Sequence, residues 1–271
     1  MGDVIVAGAG VPLAVRDFGG TGSPVVLLHG AGGSLADMEA LGGELRSAYR
    51  VVTMDLRGHG RSGDGRWTTD AVLADLDALA GELGLAAPAI VGWSLGGMVA
   101  TEWARRHPEC PGVVSLDGVP APTRPDQLAG LAPDHAAAEL DRLHTAFAAM
   151  TVELARSGSR PGPETVEQVR LAMASFDLVA ALGAAKCPLL LVLATADLRP
   201  QQPFRELYDA YRRGTSAGIA RAVAVNPGLR VVELAGATHG MVVDRPERVA
   251  DLVRAFLADP KGERAGEPAG A

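Results

Sequence analysis

The stretch Gly92-Trp93-Ser94-Leu95-Gly96-Gly97 places a serine hydroxyl among glycines. It follows the apolar run Ala89–Val91 directly and precedes a helical pattern from Met98 to Arg106. A sharp strand-to-helix turn of that kind lifts the Ser94 side chain to the top of a sheet. The helix N-terminus behind it favours negative charge on a bound oxygen. His239, in Gly236-Ala-Thr-His239-Gly240, falls in a loop between the last strand pattern and the last helical pattern, where an imidazole can serve as general base. Asp197 closes Leu193-Ala-Thr-Ala-Asp197 and stands where a carboxylate could orient that imidazole. Asp117, in Val113-Val-Ser-Leu-Asp117-Gly118, also ends a strand pattern and is the other carboxylate so placed. The order Ser94, Asp197, His239, each just past a different strand, fits nucleophilic acyl transfer.

A second glycine-rich turn, His29-Gly30-Ala31-Gly32-Gly33, follows the apolar run Val25–Leu28. Such a turn can aim backbone N–H groups at a bound oxygen. A phosphate loop is excluded because G-x-x-x-x-G-K-[ST] is absent. Gly30 and Trp93 are the candidate substrate contacts, with the Trp93 ring either lining an acyl pocket or packing in the core.

These residues need a frame. Near-continuous apolar runs recur at Val25–Leu28, Val51–Met54, Ala89–Val91, Val113–Leu116, Leu189–Leu193 and Val231–Leu234, as expected of parallel strands covered on both faces. Val4–Val6 and Leu13–Phe18 read as an antiparallel hairpin at one sheet edge. Amphipathic patterns lie between the runs, for example Val72, Leu73, Leu76, Leu79 and Leu83. The alternation predicts an α/β fold: a mostly parallel central sheet flanked by helices, with ligands bound beyond the strand carboxyl ends. Residues 119–186 break it. They open with Pro120, Pro122, Pro125 and Pro133, continue as helix through Leu140, Leu143, Phe147, Met150 and Leu154, cross a Gly/Pro-rich break at Ser157–Pro163 and resume as helix from Met173 to Leu182. The segment is too long for a plain connection and predicts a helical cap inserted into a core of 1–118 and 187–259. A helix-like stretch over Phe204–Val225 reads as a further insertion near the site. The tail, 260–271, is rich in Gly, Pro and charge and is expected to be disordered.

Composition narrows the function classes. The chain has 271 residues and a formal net charge of −7, with no basic patch, so nucleic acid and anionic membrane are not expected partners. Cys110 and Cys187 stand far apart with no C-x-x-C pair, which argues against a disulfide framework or a structural zinc site. No charged n-region precedes an apolar run at the start, and no apolar run nears the ~18 residues needed to span a bilayer. A soluble, cytoplasmic protein is expected.

The stretches His29-Gly30, Asp55-Leu-Arg-Gly58-His-Gly60-Arg-Ser62, Gly92–Gly97, the strand end at Asp197 and His239-Gly240 together resemble the α/β-hydrolase fold superfamily over residues 4 to 258. The resemblance implies an α/β-hydrolase fold with Ser94 as nucleophile, His239 as base and Asp197 as acid. In some members the acid follows the preceding strand, which is the position of Asp117. It also implies an oxyanion hole from the Leu95 and Ala31 amides, a small-molecule substrate, and no metal or organic cofactor. Asp55, His59 and Arg61 match a structural turn of the family and are read as scaffold. A serine nucleophile disfavours the epoxide hydrolases and haloalkane dehalogenases of this fold, which use Asp. A serine hydrolase of ester, lactone or thioester bonds is expected. A C–C bond hydrolase, a perhydrolase or a non-catalytic ligand-binding protein are the alternatives. Gly92–Gly97 is also similar to the elbow of the pimeloyl-acyl-carrier-protein methyl esterases, although 119–186 offers no basic patch for a carrier protein.

Overall fold

The computed structural model describes residues 2–156 and 160–262, without the side chains of 150–156. The expected tail from residue 263 onward, Ser157–Ser159 of the predicted break, and the side chains of Met150 and Leu154 therefore lie outside the described residues.

The apolar runs become eight strands: β1 (Gly2–Ala7), β2 (Pro12–Gly19), β3 (Pro24–Leu28), β4 (Arg50–Met54), β5 (Ala89–Trp93), β6 (Val113–Leu116), β7 (Leu189–Ala194) and β8 (Leu229–Leu234). They form one sheet in the order β1-β2-β4-β3-β5-β6-β7-β8. The β1–β2 hairpin and the β2–β4 pair are antiparallel, and every pair from β4 to β8 is parallel. Parallel neighbours need long crossovers, and these supply the helices α1 (Glu39–Leu45), α2 (Thr69–Glu82), α3 (Leu95–Arg106), α4 (Pro133–Arg156), α5 (Pro163–Ser175), α6 (Leu178–Gly183) and α7 (Arg205–Val225), while α8 (Met241–Asp244) and α9 (Pro246–Ala258) follow the last strand.

Side chains alternate across the sheet and build two cores. Val26, Leu28, Val113, Leu189 and Leu191 face one side, against Leu76 of α2, Trp103 of α3 and Leu182 of α6. Val25, Leu27, Val114, Leu190 and Val192 face the other, against Leu41 and Leu45 of α1 and Val249, Val253 and Phe256 of α9. Coverage on both faces explains why these strands read as continuous apolar runs and not as alternating ones. Cys110 and Cys187 are free and buried.

Within 119–186 and the crossover after β7, helices pack both on the sheet and on one another. The predicted helix Met173–Leu182 is two helices, broken where the Asp177 carboxylate accepts the Ala180 amide and caps α6. Leu178 and Leu182 of α6 lie in the first sheet core. Phe204–Val225 is not an insertion. It is the β7–β8 crossover, with Ile219 and Ala222 on the sheet core and Leu207, Ala210 and Tyr211 in a third cluster with Leu128, Leu140 and Leu143. Tyr211 Oη donates to the Pro120 carbonyl at 2.7 Å and ties that cluster to the chain leaving β6. Met173 and Phe176 pack on the first core, while Phe147, His135 and His144 are exposed. Among the described residues, no helix is long and apolar enough to cross a membrane, and no cluster of His, Cys, Asp and Glu could hold a metal ion.

Candidate active site

The turn after β5 is strained where chemistry would need it. Ser94 has φ 56° and ψ −117°, a left-handed conformation that costs a non-glycine residue of order 1–3 kcal/mol. The surroundings impose it: the Ser94 amide donates to the Leu116 carbonyl at 2.9 Å, and the Gly96 amide donates to the His29 carbonyl at 3.1 Å. The glycines are required by close approach. A Cβ on Gly92 would stand 2.0 Å from the Gly96 carbonyl oxygen, and one on Gly96 would stand 2.4 Å from that of Leu28. Ser94 is thereby the residue at the head of α3, whose first-turn amides, Leu95 among them, lack intrahelical acceptors.

The glycine-rich loop after β3 lies against this turn. A Cβ on Gly30 would fall 3.1 Å from Ser94 Cβ and 3.2 Å from Trp93 Cε3. Buried His29 holds the loop in shape. The Leu56 amide donates to His29 Nε2 at 3.0 Å, so that nitrogen is an acceptor and Nδ1 carries the proton, which is donated to the Gly30 carbonyl at 2.7 Å. The Gly33 amide donates to the same carbonyl at 3.1 Å. Because the peptide unit is planar and trans, the Ala31 N–H points the opposite way. It has no acceptor among the described residues.

His29 must stay neutral for this role. Burial first, and the neighbouring His59 second, bring its pKa down from 6.5 to about 4. His59 is shifted down as well, chiefly by burial. The unfolded chain therefore binds protons that the folded chain does not. Stability is whole above about pH 6.5 and falls as pH drops towards 4, by about 3 kcal/mol for His29. The urea midpoint is expected to fall across that window, and His29→Asn to flatten the fall. A midpoint independent of pH there would show that His29 is not held neutral.

The carboxylate beside His239 is Asp117. Its Oδ2 accepts from His239 Nδ1 at 2.6 Å, and its Oδ1 accepts the Ala194 amide at 3.0 Å. Asp117 takes a left-handed turn, φ 51°, directly after β6, while its amide still donates to the Val192 carbonyl at 2.7 Å. The side chain is thus swung over the end of β7 towards the β8 loop. This corrects the expectation for Asp197. That residue lies three positions beyond β7, and Arg212 of α7 holds its carboxylate at 2.8 Å, with Arg205 at 3.8 Å. The signals for this were Asp117-Gly118 flush with a strand end and the arginines of α7, all visible in the sequence.

Trp93 is half-buried, and its indole N–H donates to the His239 carbonyl at 2.7 Å. The two rings are 5.6 Å apart and tilted by 42°. The His239 loop is further tied by Thr195 and Ala196, whose amides donate to the Ala237 carbonyl at 3.0 and 2.9 Å. Asp244, the last residue of α8, accepts from Thr238 Oγ1 at 3.2 Å and so braces this loop. Asp55 and Arg61 are scaffold as read: the Asp55 carboxylate accepts the Leu35 amide at 2.6 Å and the Arg61 amide at 2.8 Å. His59 is buried and bonds the Arg57 carbonyl.

Known proteins share this frame. Two pimeloyl-[acyl-carrier protein] methyl ester esterases are similar along almost their full length. That of Aeromonas hydrophila is 30% identical over 261 residues, covering 90% of this chain and 99% of its own. That of Yersinia pseudotuberculosis is 28% identical over 251 residues, covering 88% and 94%. A thermophilic esterase from Thermogutta terrifontis superposes with a TM-score of 0.68 at 26% identity, covering 96% of this chain and all of that one. The model of the alpha/beta hydrolase family matches residues 25–252, from β3 to the last helix, and the chain belongs to that family.

Proposed function

We propose that this α/β-hydrolase cleaves a carboxylic ester-type bond of a small molecule through an acyl-enzyme on Ser94, with His239 as base and Asp117 as acid. The observation that carries the reading is the 2.6 Å contact between His239 Nδ1 and the Asp117 carboxylate. That bond places the proton on Nδ1 and leaves Nε2 with its lone pair, the state a general base needs. His239 takes the Ser94 proton as the oxygen attacks the carbonyl carbon. The Leu95 and Ala31 amides receive the oxyanion, and the His29 bond to the Gly30 carbonyl supports the second of these donors. The protonated imidazole then gives its proton to the leaving oxygen. Water, deprotonated by the same nitrogen, releases the acid and restores Ser94.

A small-molecule substrate is favoured over one displayed on a carrier protein. Residues 119–186 hold six basic and eight acidic residues. Four of the arginines have acidic partners: Arg124 with Asp126, Arg142 with Glu139, Arg160 with Asp64 and Arg170 with Glu167. Among the described residues these pairings leave little unpaired positive charge there to attract an acidic partner.

The test is intact mass after exposure to a fluorophosphonate. One adduct per chain is expected on the wild type and none on Ser94→Ala. An unlabelled wild type, or equal labelling of both proteins, sinks the assignment. A panel of esters, lactones and thioesters then ranks the bond cleaved.

A further inference from the structure

Trp93 adjoins three parts of the proposed site. It is joined to Ser94 by a peptide bond, its six-membered ring lies against Gly30, and its N–H is engaged by the His239 main chain. The other ties of the base loop stop short of His239. The Gly236 amide donates to Thr195 Oγ1 at 2.8 Å, Ala237 is held through its carbonyl, and Thr238 is held by Asp244. Among the described residues, Trp93 is the one donor to the His239 carbonyl.

We infer that Trp93 is a positioning residue for the base, a role that rests on the Ser94–His239–Asp117 reading. Asp117 fixes Nδ1 at one end of the side chain, and the indole fixes the backbone at the other. With both ends held, Nε2 keeps one direction. The indole adjoins the proposed nucleophile in the chain, so the base is registered against Ser94 as well as against Asp117 at the end of β6. A ring serving only as a pocket wall needs no N–H partner on the base; here the N–H is bonded to the His239 carbonyl at 2.7 Å. Catalysis tolerates little misplacement of a reacting group, so losing one such tie lowers the rate even when the ring's bulk stays.

The test is Trp93→Phe, which keeps an aromatic ring and removes the donor. With p-nitrophenyl esters of two acyl lengths, kcat is expected to fall about tenfold, the worth of one well-made hydrogen bond. KM and the preference between the two acyl lengths are expected to stay within about twofold. The downfield proton resonance of the His239 Nδ1–H···Asp117 bond should broaden through faster exchange. An unchanged kcat overturns the role. So does a shift in KM and acyl preference at constant kcat, which would make Trp93 a pocket wall. A melting temperature lowered enough to account for the lost rate also overturns it. The wild type carries a second readout: the Trp93 indole N–H should exchange slowly and stay bonded after Ser94 is labelled, and fast exchange counts against the proposal. Wild-type protein that neither labels nor turns over overturns the Ser94 reading itself. Labelling with equal kcat in Trp93→Phe overturns this inference alone.

Discussion

Ser94→Ala is expected to lower kcat by about 10⁶-fold, since removing the nucleophile of a serine triad disables the whole unit. The change is small in structural terms. Ser94 Oγ makes no hydrogen bond that shapes the turn. The Ser94 amide bond to Leu116 and the Gly96 amide bond to His29 are main-chain contacts that alanine keeps. Alanine carries the same Cβ at φ 56°, so the backbone strain is unchanged. The melting temperature should therefore stay within a few degrees, or rise as a polar group leaves a buried position. Ester turnover and thermal unfolding measured on one preparation decide the matter. A variant that is folded and retains more than about 1% of the wild-type rate would move the nucleophile elsewhere.

The two aspartates should separate just as widely. Asp117→Asn keeps shape but replaces an acceptor-only carboxylate with an amide that can present its NH₂ to His239 Nδ1. The imidazole is then driven to the wrong tautomer, and kcat is expected to fall about 10⁴-fold. Asp197→Asn removes a negative charge shared with Arg212 and Arg205. Those guanidiniums are partly solvated, so the loss is on the order of 1 kcal/mol or less in stability, with kcat within about threefold of wild type. Steady-state kinetics of the two variants beside the wild type is sufficient. If Asp197→Asn were the crippled one, the observed His239–Asp117 bond would not be the working arrangement.

The frame was legible because each strand is buried on both faces and therefore announces itself as an unbroken apolar run. The nucleophile turn was legible because tight backbone contact admits only glycine at Gly92 and Gly96, which leaves a pattern no other pressure requires. The acid was ambiguous because two carboxylates end neighbouring strands. Their difference lies in long-range facts: the left-handed turn at Asp117, and the reach of Arg212 from the middle of α7. The break between α5 and α6 was not legible for a related reason: it is tertiary packing that places Leu178 and Leu182 of α6 against the sheet. The tautomer of His29 and the tie from Trp93 to His239 were invisible, since hydrogen-bond direction is set by partners distant in the chain.

The base lies far downstream of the residues it must serve: 146 positions separate Trp93 from His239, and 122 separate Asp117 from it. A ribosome adding about 5–20 residues per second needs roughly 6–30 seconds to cover that interval. For that time the emerging chain carries a serine and an aspartate but no imidazole to join them. On the proposed reading, the growing polypeptide is unreactive towards esters until the loop after its last strand, β8, is made.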